Sequence, residues 1–383
     1  MKIVVTESSF IASQGQGSLS SLEYRIDLGD RDYDVYLKSL DLIPQTGLEA
    51  VLPLALLAGM KLRRPIHVQG ALSLTYLAGV RGVMSFFEKN HDSYCSVEIT
   101  ADSYYQTAAT EPRRKAAFFS GGVDSFYTLV KGRQELTDII CIYGFDMSLK
   151  DSERWAKVRN MCAAVAKEFG VNLIEVETNM GGVIKDYGSW LRHGHGLALA
   201  SVARALGGVV GEVRIPGTFS LSEQKPWGSC AATDPLFSDE RVTITHDACN
   251  ASRADKVVAL ANEPVALKYL RVCGGRPMDG LYNCCRCEKC LRTMVALYAA
   301  GALDKATAFP LRLDPEVVAN VLLERPGLRC YPLENIELLK KMRPDDKTMI
   351  NALEKQMNRP IWISRMHLFI NKRIRHLKRK LKK

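Results

Sequence analysis

The stretch KAAFFSGGVDSFYTLV, from Lys115 to Val130, places a glycine-rich turn between a short apolar run and the start of a helix. Ala116–Phe119 is typical of a buried strand, and the residues from Phe126 onward have the spacing of a helix. Ser120–Ser125 is therefore predicted to be a strand-to-helix turn. Its glycines allow positive φ and a close approach of the backbone to a ligand, while the helix start offers unpaired N–H groups. Such a turn favours an anion.

This turn contains no lysine, which restricts the anion-binding motifs it can represent. The Walker A loop requires G-x-x-x-x-G-K-[ST] and the dinucleotide fingerprint requires G-x-G-x-x-G, and neither pattern is present in the stretch. An ordinary glycine or Asx turn before a helix is the alternative interpretation. The six residues Ser120–Ser125 resemble the S-G-G-x-D-S loop of the PP-loop ATP pyrophosphatases, the adenine nucleotide alpha hydrolase-like proteins.

The resemblance implies an ATP site with Mg²⁺. Backbone amides and the hydroxyls of Ser120 and Ser125 would hold the β- and γ-phosphates, which leaves the α-phosphorus open to attack. Asp124 would help to place Mg²⁺, and Asp124 and Ser125 are the catalytic candidates on this turn. The implied nucleotide-binding residues are Ser120, Gly121, Gly122, Val123, Asp124 and Ser125.

From Lys115 onward, strand-like and helix-like segments alternate as far as Val209–Ile215. This alternation predicts an α/β fold with a parallel sheet and flanking helices, and the resemblance implies the HUP-like arrangement of PP-loop proteins. Strand runs near Val4, Val35, Val68 and Glu98 predict a smaller α+β domain in front, joined by a linker at Ala101–Arg114. The predicted divisions are residues 1–110 (α+β domain), 111–270 (ATP-binding domain), 271–310 (cysteine-rich metal-binding segment) and 311–383 (helical region with a basic tail).

Two groups of residues follow strands of this predicted sheet, where open α/β sheets bind their ligands. Phe145 and Asp146 lie where a PP-loop protein contacts adenine and ribose, although a strand-end turn with a capping aspartate explains them as well. His193 and His195 precede a helix that starts near Gly196, which favours a phosphate contact and a catalytic role for His195. Local reasons alone also place polar residues at helix starts.

The loop around Trp227 contains candidates for substrate recognition. Lys225 is suited to an acidic group and Trp227 to stacking, and loops at strand ends commonly carry function. A surface turn with a half-buried tryptophan is the alternative. Further along, Arg253 and Lys256 would neutralise a phosphate. Exposure to water at the start of a helix explains these two basic residues equally well. The substrate candidates are Lys225, Trp227, Ser229 and Asp234.

Cysteines form a second constellation. Cys284, Cys287 and Cys290 follow a C-x₂-C-x₂-C spacing, and Cys273 lies upstream as a fourth ligand. Thiolates at this spacing can converge on one metal ion, which predicts a structural Zn²⁺ site. A [4Fe–4S] cluster is the rival occupant. Cys285 is an extra thiol outside the spacing.

The turn and the cysteine motif together resemble 7-cyano-7-deazaguanine synthase, over the range from Lys115 to about Leu297. Two departures prevent a transfer of its substrate: residues 1–110 precede the turn, and the segment 224–257 does not map onto that enzyme's substrate residues. The whole chain is more similar to a bacterial group of PP-loop proteins that carries N-C-x-R-C-E-K-C-L-R-T-M.

The resemblance to PP-loop enzymes implies adenylation. A carboxylate or amide oxygen of a small or carrier-bound substrate would attack the α-phosphorus of ATP and release pyrophosphate, and a nitrogen nucleophile would then displace AMP to give an amide or nitrile. Two alternatives stay open at this point. One is a sulfur transferase in which Cys285 carries a persulfide, and the other is a non-enzymatic nucleotide-binding module.

The bulk composition is that of a cytoplasmic globular protein. Of the 383 residues, 47% are hydrophobic and 25% are charged, and no N-terminal signal pattern or long apolar run is present. Most of the eleven cysteines are scattered singly, which favours a reducing compartment over a disulfide framework. A homodimer is a further expected partner.

The net charge of +10 is concentrated at the C-terminal end. Residues 365–383 contain nine of the 52 lysines and arginines and none of the 42 acidic residues. The pattern predicts a basic amphipathic helix that docks on the enzyme body, binds an acidic partner such as a carrier protein or nucleic acid, or attaches peripherally to an anionic membrane. A frayed terminus is the alternative. The apolar stripe consists of Met366, Ile370, Ile374, Leu377 and Leu381.

Overall fold

The computed structural model of the chain describes residues 2–12, 19–42, 47–106, 113–275 and 281–380. Two compact units can be distinguished. The first consists of Met1–Ser120 and Thr128–Asn250, and the second consists of Gly121–Tyr127 and Ala251–Lys383. The chain therefore leaves the first unit within the glycine turn, returns to it, and leaves it again after Asn250.

One ten-stranded sheet lies at the centre of the first unit. The strands are β1 (Ile3–Ile11), β2 (Ser20–Asp27), β3 (Asp32–Ser39), β4 (Ile66–Ser73), β5 (Ile99–Tyr105), β6 (Arg114–Phe118), β7 (Asp138–Tyr143), β8 (Asn172–Thr178), β9 (Val210–Pro216) and β10 (Thr243–Asp247). Their order is β10-β9-β6-β7-β8-β3-β2-β1-β4-β5. The pairs β8–β3, β3–β2 and β2–β1 are antiparallel, and the other neighbours are parallel. An α/β fold with a mostly parallel sheet is thus confirmed.

Helices connect and follow these strands. Those that lie at least partly in the first unit are α1 (Leu52–Leu62), α2 (Leu74–Asn90), α3 (Val123–Lys131), α4 (Ser152–Phe169), α5 (Gly181–Tyr187) and α6 (His195–Ala205). The second unit contains α7 (Arg253–Leu260), α8 (Pro264–Tyr269), α9 (Glu288–Ala299), α10 (Pro315–Asn320), α11 (Cys330–Met342), α12 (Lys347–Asn358) and α13 (Ile361–Lys380). Helix α1 is buried on nearly every side, because its residues Leu52–Met60 are apolar all round apart from Gly59.

The predicted linker at Ala101–Arg114 is wrong at both of its ends. Ala101–Tyr105 belongs to β5, which pairs with β4, and Arg114 begins β6. Residues 107–112 lie outside the described part of the chain. The first five strands continue the same sheet as β6–β10, since β3 pairs with β8. The predicted boundary near residue 110 therefore does not coincide with the observed division into units.

Sequence reasoning missed β2, although its pattern was visible. Leu22, Tyr24 and Ile26 alternate with more exposed residues along Ser20–Asp27, and all three are fully buried. This period of two is the usual signature of a strand with one buried face. Because β2 lies between β1 and β3, it is the strand that brings the N-terminal residues into the sheet.

A buried charged network ties early and late segments of the first unit together. The side chains of Arg204 and Asp239 are almost completely buried and form a salt bridge with two hydrogen bonds. Arg241 contacts Glu49 at 3.2 Å, and the Tyr105 hydroxyl donates to the same carboxylate. Buried charges are tolerated only when they are paired in this way. The network therefore fixes the segment around residue 240 against the first 110 residues.

The contact between α2 and the backbone of Leu236 provides a test of this packing. A Cβ atom at Gly79 would lie 1.9 Å from the carbonyl oxygen of Leu236. We expect Gly79→Ala to lower the free energy of unfolding by about 1–3 kcal/mol, because the backbone must move to remove the clash. Gly82→Ala is the matched control, since its Cβ would meet only the flexible end of the Leu236 side chain at 3.1 Å. Chemical denaturation of both variants measures the difference, and equal stabilities would contradict this packing.

Candidate anion-binding turn and metal centre

The glycine turn leads from β6 into α3 as the sequence predicts, but α3 begins at Val123, three residues earlier than expected, so that Val123, Asp124 and Ser125 form the first turn of the helix. Gly121 has φ of 76°, a left-handed conformation that favours glycine. Its carbonyl oxygen accepts a hydrogen bond from the backbone N–H of Arg271 at 2.7 Å, and the Ser125 hydroxyl donates to the carbonyl oxygen of Gly122 at 3.0 Å. The first N–H groups of α3 follow directly, where an anion is stabilised. The proposed ligand contacts of these residues stay predictions.

Asp124 is the centre of a charged cluster in the second unit. The Arg253 guanidinium lies 2.5 Å from one carboxylate oxygen of Asp124, and the Lys256 ammonium lies 3.5 Å from the other. The Lys256 side chain is fully buried, and its ammonium lies 6.0 Å from the centre of the Tyr127 ring. Solvation of a helix start is therefore the wrong explanation for Lys256.

Helix α7 presents both cations to the turn. Ser252 caps α7 through the backbone N–H of Asp255, so that Arg253 occupies the first helical position and Lys256 the next turn. Burial opposes the charge on Arg253, but its contacts with Asp124 outweigh this effect and raise the pKa of the guanidinium. Two basic side chains and one carboxylate thus lie beside a turn that already offers N–H donors. Such an arrangement can hold an anionic group.

The first unit contains several predicted residues beyond the carboxyl end of β7. The Phe145 ring packs edge-on against Trp190 at 4.9 Å, and Asp146 is exposed. The Nδ1 atom of His195 lies 3.1 Å from the carbonyl oxygen of Trp190 and donates to it. Burial lowers the pKa of His195, while nearby Asp234 and Asp146 act in the opposite direction. The His195 ring is therefore neutral near pH 7, with Nε2 as the proton acceptor.

Ser229 and Asp234 are buried and bonded to each other. The Ser229 hydroxyl donates to Oδ2 of Asp234 at 2.6 Å, and the same oxygen lies 2.7 Å from Nδ1 of His246. Sequence reasoning did not select His246, although it lies at the end of β10, the edge of the sheet where ligands bind. The buried Oδ1 atom of Asp234 has no hydrogen-bond partner in the described part of the chain. Asp234 therefore holds the Ser229 hydroxyl and the His246 ring in place. The proposed substrate contacts of Ser229 and Asp234 stay predictions.

Lys225 and Trp227 form a separate surface cluster. The Lys225 ammonium lies 3.9 Å from the centre of the Phe219 ring, and that ring packs edge-on against Trp227 at 5.9 Å. Both residues stay predictions as substrate contacts.

His193 lies in an aromatic cluster. It packs on His91 at 4.7 Å and on Tyr94 at 5.0 Å, and its Nδ1 atom accepts a hydrogen bond from the backbone N–H of Ser189. Burial, assisted by His91, lowers the pKa of His193 to about 4. The expected position of this histidine near a phosphate stays a prediction.

Four cysteine sulfurs converge in the second unit. The Sγ atoms of Cys284 and Cys290 are 3.8 Å apart, those of Cys287 and Cys273 are 3.9 Å apart, and those of Cys287 and Cys290 are 3.4 Å apart. All four sulfurs lie within 4.8 Å of one another. The predicted cysteine set is thus brought together, and it can hold a metal ion.

Asn283 organises the chain around this cluster, and sequence reasoning missed it. Its buried side-chain oxygen accepts from the backbone N–H groups of Val272 and Cys273, at 2.9 and 3.2 Å. Its amide nitrogen donates to the carbonyl oxygens of Leu270 and Ala308. One side chain therefore joins three segments, and its position immediately before the cysteine run was the only sequence signal for this role.

Cys285 does not belong to the metal-binding set. Its side chain is buried, its backbone φ is 53°, and its Sγ atom lies 3.8 Å from the carbonyl oxygen of Asn283. The left-handed conformation turns the chain between Cys284 and Cys287. It therefore separates this thiol from the two ligands on either side.

This difference between neighbouring cysteines gives a paired test. We expect Cys287→Ser to abolish stoichiometric metal binding and to lower the melting temperature, because metal ligation contributes directly to folding. Cys285→Ser is expected to retain the metal. Elemental analysis of protein purified without chelator measures both. Loss of metal from Cys285→Ser with retention in Cys287→Ser would contradict the assignment of ligands.

Comparisons of the chain with protein-family models, with curated proteins and with solved structures gave no match.

Proposed function

We propose that the protein is an ATP-dependent adenylating enzyme of the PP-loop type, which cleaves ATP between the α- and β-phosphates. The observation that supports this proposal best is the convergence of Arg253 and Lys256 on Asp124 at the glycine turn. The turn itself contains no lysine, and α7 supplies the cations from elsewhere in the chain. This separates the site from a Walker A loop, in which the lysine belongs to the turn.

The two cations differ in a way that suits a polyphosphate. The Arg253 guanidinium is a planar fork that binds two oxygens at once, whereas the Lys256 ammonium is a compact charge. Backbone N–H groups at the start of α3 add hydrogen-bond donors that are fixed in position and carry no formal charge. Together these groups stabilise the charge that develops on a departing pyrophosphate.

Asp124 fits a role in binding Mg²⁺ together with the nucleotide. Both of its carboxylate oxygens contact a cation in this structure. A phosphate group competes for Arg253 and Lys256, and transfer of either cation to phosphate makes a carboxylate oxygen accessible. Carboxylate oxygens and substrate phosphates are the ligands that Mg²⁺ prefers. A bound Mg²⁺ would supply charge neutralisation for the β- and γ-phosphates.

The proposed reaction has two steps. An oxygen of a substrate carboxylate or amide attacks the α-phosphorus, the bond to the bridging oxygen breaks, and pyrophosphate leaves with the electron pair. A nitrogen nucleophile then attacks the activated carbon, and AMP leaves. The chain need not form a covalent bond to either intermediate, because positioning and electrostatic stabilisation account for most catalysis of phosphoryl-group chemistry.

Zinc is the metal that we propose for the cysteine cluster. Tetrahedral zinc with Zn–S bonds of about 2.3 Å requires sulfurs about 3.8 Å apart. Three of the sulfur pairs in this chain are 3.4 to 3.9 Å apart, and all four sulfurs lie within 4.8 Å of one another. In a [4Fe–4S] cluster each cysteine binds a different iron, so its sulfurs lie farther apart than those around one ion. The spacing therefore favours a single tetrahedral ion.

The metal centre is also connected to the glycine turn through packed helices. Cys287 occupies the position just before α9, and Cys290 lies in the first turn of that helix. Helix α9 packs against α7, the helix that carries Arg253 and Lys256. A metal ion would thus fix the start of α9 and, through it, the position of the two cations.

Nucleotide turnover tests the proposed function. With ATP, Mg²⁺ and a deproteinised metabolite extract, we expect AMP and pyrophosphate as products. Lys256→Met should lower their formation by a factor of about 100 or more, as the loss of a preorganised charge contact does in other enzymes. Lys157→Met, which removes an exposed lysine of α4, is the control and should retain the activity. Formation of ADP and phosphate would contradict α–β cleavage, and ATP binding without turnover would favour a nucleotide-binding module.

The identity of the metal has its own measurement. We expect the purified protein to be colourless and to contain zinc in a ratio of one ion per chain. Optical spectroscopy combined with elemental analysis separates the two occupants. A brown protein with iron, inorganic sulfide and absorption near about 400 nm would show that the cysteines hold an iron–sulfur cluster instead.

A further inference from the structure

Helix α13 carries an apolar stripe that the rest of the second unit, as far as the structure describes it, does not cover. The side chains of Trp362, Met366, Phe369 and Ile370 are 64, 47, 57 and 46% exposed. Their spacing of four, three and one residues places them on one side of the helix. Ser364 is buried on the opposite side. The stripe therefore faces away from the surface on which the helix packs.

The exposure of these side chains bears on the three outcomes that the sequence left open for the basic helix, namely docking on the protein, binding of an acidic partner and attachment to an anionic membrane. Met366 and Ile370 belong to the predicted stripe, and their exposure shows that these two side chains do not pack on the rest of the second unit. The helix itself is confirmed from Ile361 to Lys380. The other members of the predicted stripe are Ile374, Leu377 and Leu381. The side chains of Ile374 and Leu377, and the whole of Leu381, lie outside the described part of the chain.

The charge of this segment restricts the partner to an anionic one. Residues 365–383 contain nine lysines and arginines and no acidic residue. The guanidinium of Arg373 lies 4.9 Å from the centre of the Phe369 ring, so a basic side chain extends along the apolar stripe. Long basic side chains of this kind cover apolar surface with their stems and keep the charge in water. The partner must therefore accept apolar and basic side chains from the same face.

An anionic lipid surface meets both requirements. Tryptophan and phenylalanine partition to the boundary between headgroups and acyl chains, and aliphatic side chains such as Met366 and Ile370 enter the same layer. Lysine and arginine are attracted to acidic headgroups, each strengthening binding roughly fivefold. Nucleic acid would bind the basic side chains, and its bases could stack on the aromatic rings. It offers no apolar layer in which the aliphatic side chains could be buried.

We propose that α13 is an interfacial anchor that lies flat in the surface of an anionic bilayer, with Trp362, Met366, Phe369 and Ile370 inserted below the headgroups. No helix in the described residues is long and apolar enough to cross a membrane, and an interfacial helix does not need to be. Attachment of this kind is independent of the proposed chemistry at Asp124. It places the protein at a lipid surface.

Vesicle binding by the full-length protein tests this proposal. We expect co-sedimentation with vesicles that contain phosphatidylserine, little binding to vesicles of phosphatidylcholine alone, and weaker binding as the salt concentration rises. The double variant Trp362→Ser/Phe369→Ser should bind phosphatidylserine vesicles at least about tenfold more weakly. The control is Leu221→Ser, which removes an equally exposed apolar side chain elsewhere and should bind like the wild type.

A second probe distinguishes lipid from nucleic acid. The double variant retains every basic residue, so its affinity for a single-stranded oligonucleotide should equal that of the wild type. Unchanged vesicle binding by the double variant would overturn the insertion of the stripe. Loss of oligonucleotide binding in the double variant, together with displacement of the wild type from vesicles by the oligonucleotide, would assign the stripe to nucleic acid instead.

Discussion

The ion pairs of Asp124 with Arg253 and Lys256 are the interaction on which the candidate site depends. Lys256 is fully buried, and a buried ammonium without a partner is strongly unfavourable, with the loss of one partner of such a pair costing about 3–5 kcal/mol. Well-packed apolar residues would stabilise the same positions at least as well. The contribution of these ion pairs to stability alone therefore does not explain why a buried charge cluster lies beside the glycine turn.

The sheet depends on a narrow junction between its two halves. Only Leu37 and Lys38 of β3 pair with β8, and side chains complete the connection. Asn179 accepts from the backbone N–H of Tyr36 and donates to the carbonyl oxygen of Asp34, and Thr178 donates to the carbonyl oxygen of Tyr36. These side-chain hydrogen bonds satisfy backbone N–H and C=O groups of β3 that would bond to β8 if the two strands paired over a longer stretch. The first five strands therefore join the parallel strands without a long shared edge.

In the second unit, packed helices connect the cysteine cluster to the glycine turn. Asn283 forms hydrogen bonds with the chain on either side of the cysteines, and α9, which begins at the cysteines, packs against α7. Short helices such as α7 and α8 have little stability in isolation. The cysteine cluster and the glycine turn therefore depend on the same small set of helices.

The sequence by itself determined the features whose cause is local. The glycine turn follows from residues that permit positive φ, the cysteine cluster from ligand spacing, and the main helices and strands from their periodicity. Tertiary structure decided what no local pattern encodes. Arg253 reaches Asp124 across 129 residues of chain, and the side chain of Asn179 reaches β3 across 143. His246 joined Asp234 only because β10 became an edge strand beside β9. Such pairings depend on which strands become neighbours, and that choice is made by the packing of the whole sheet.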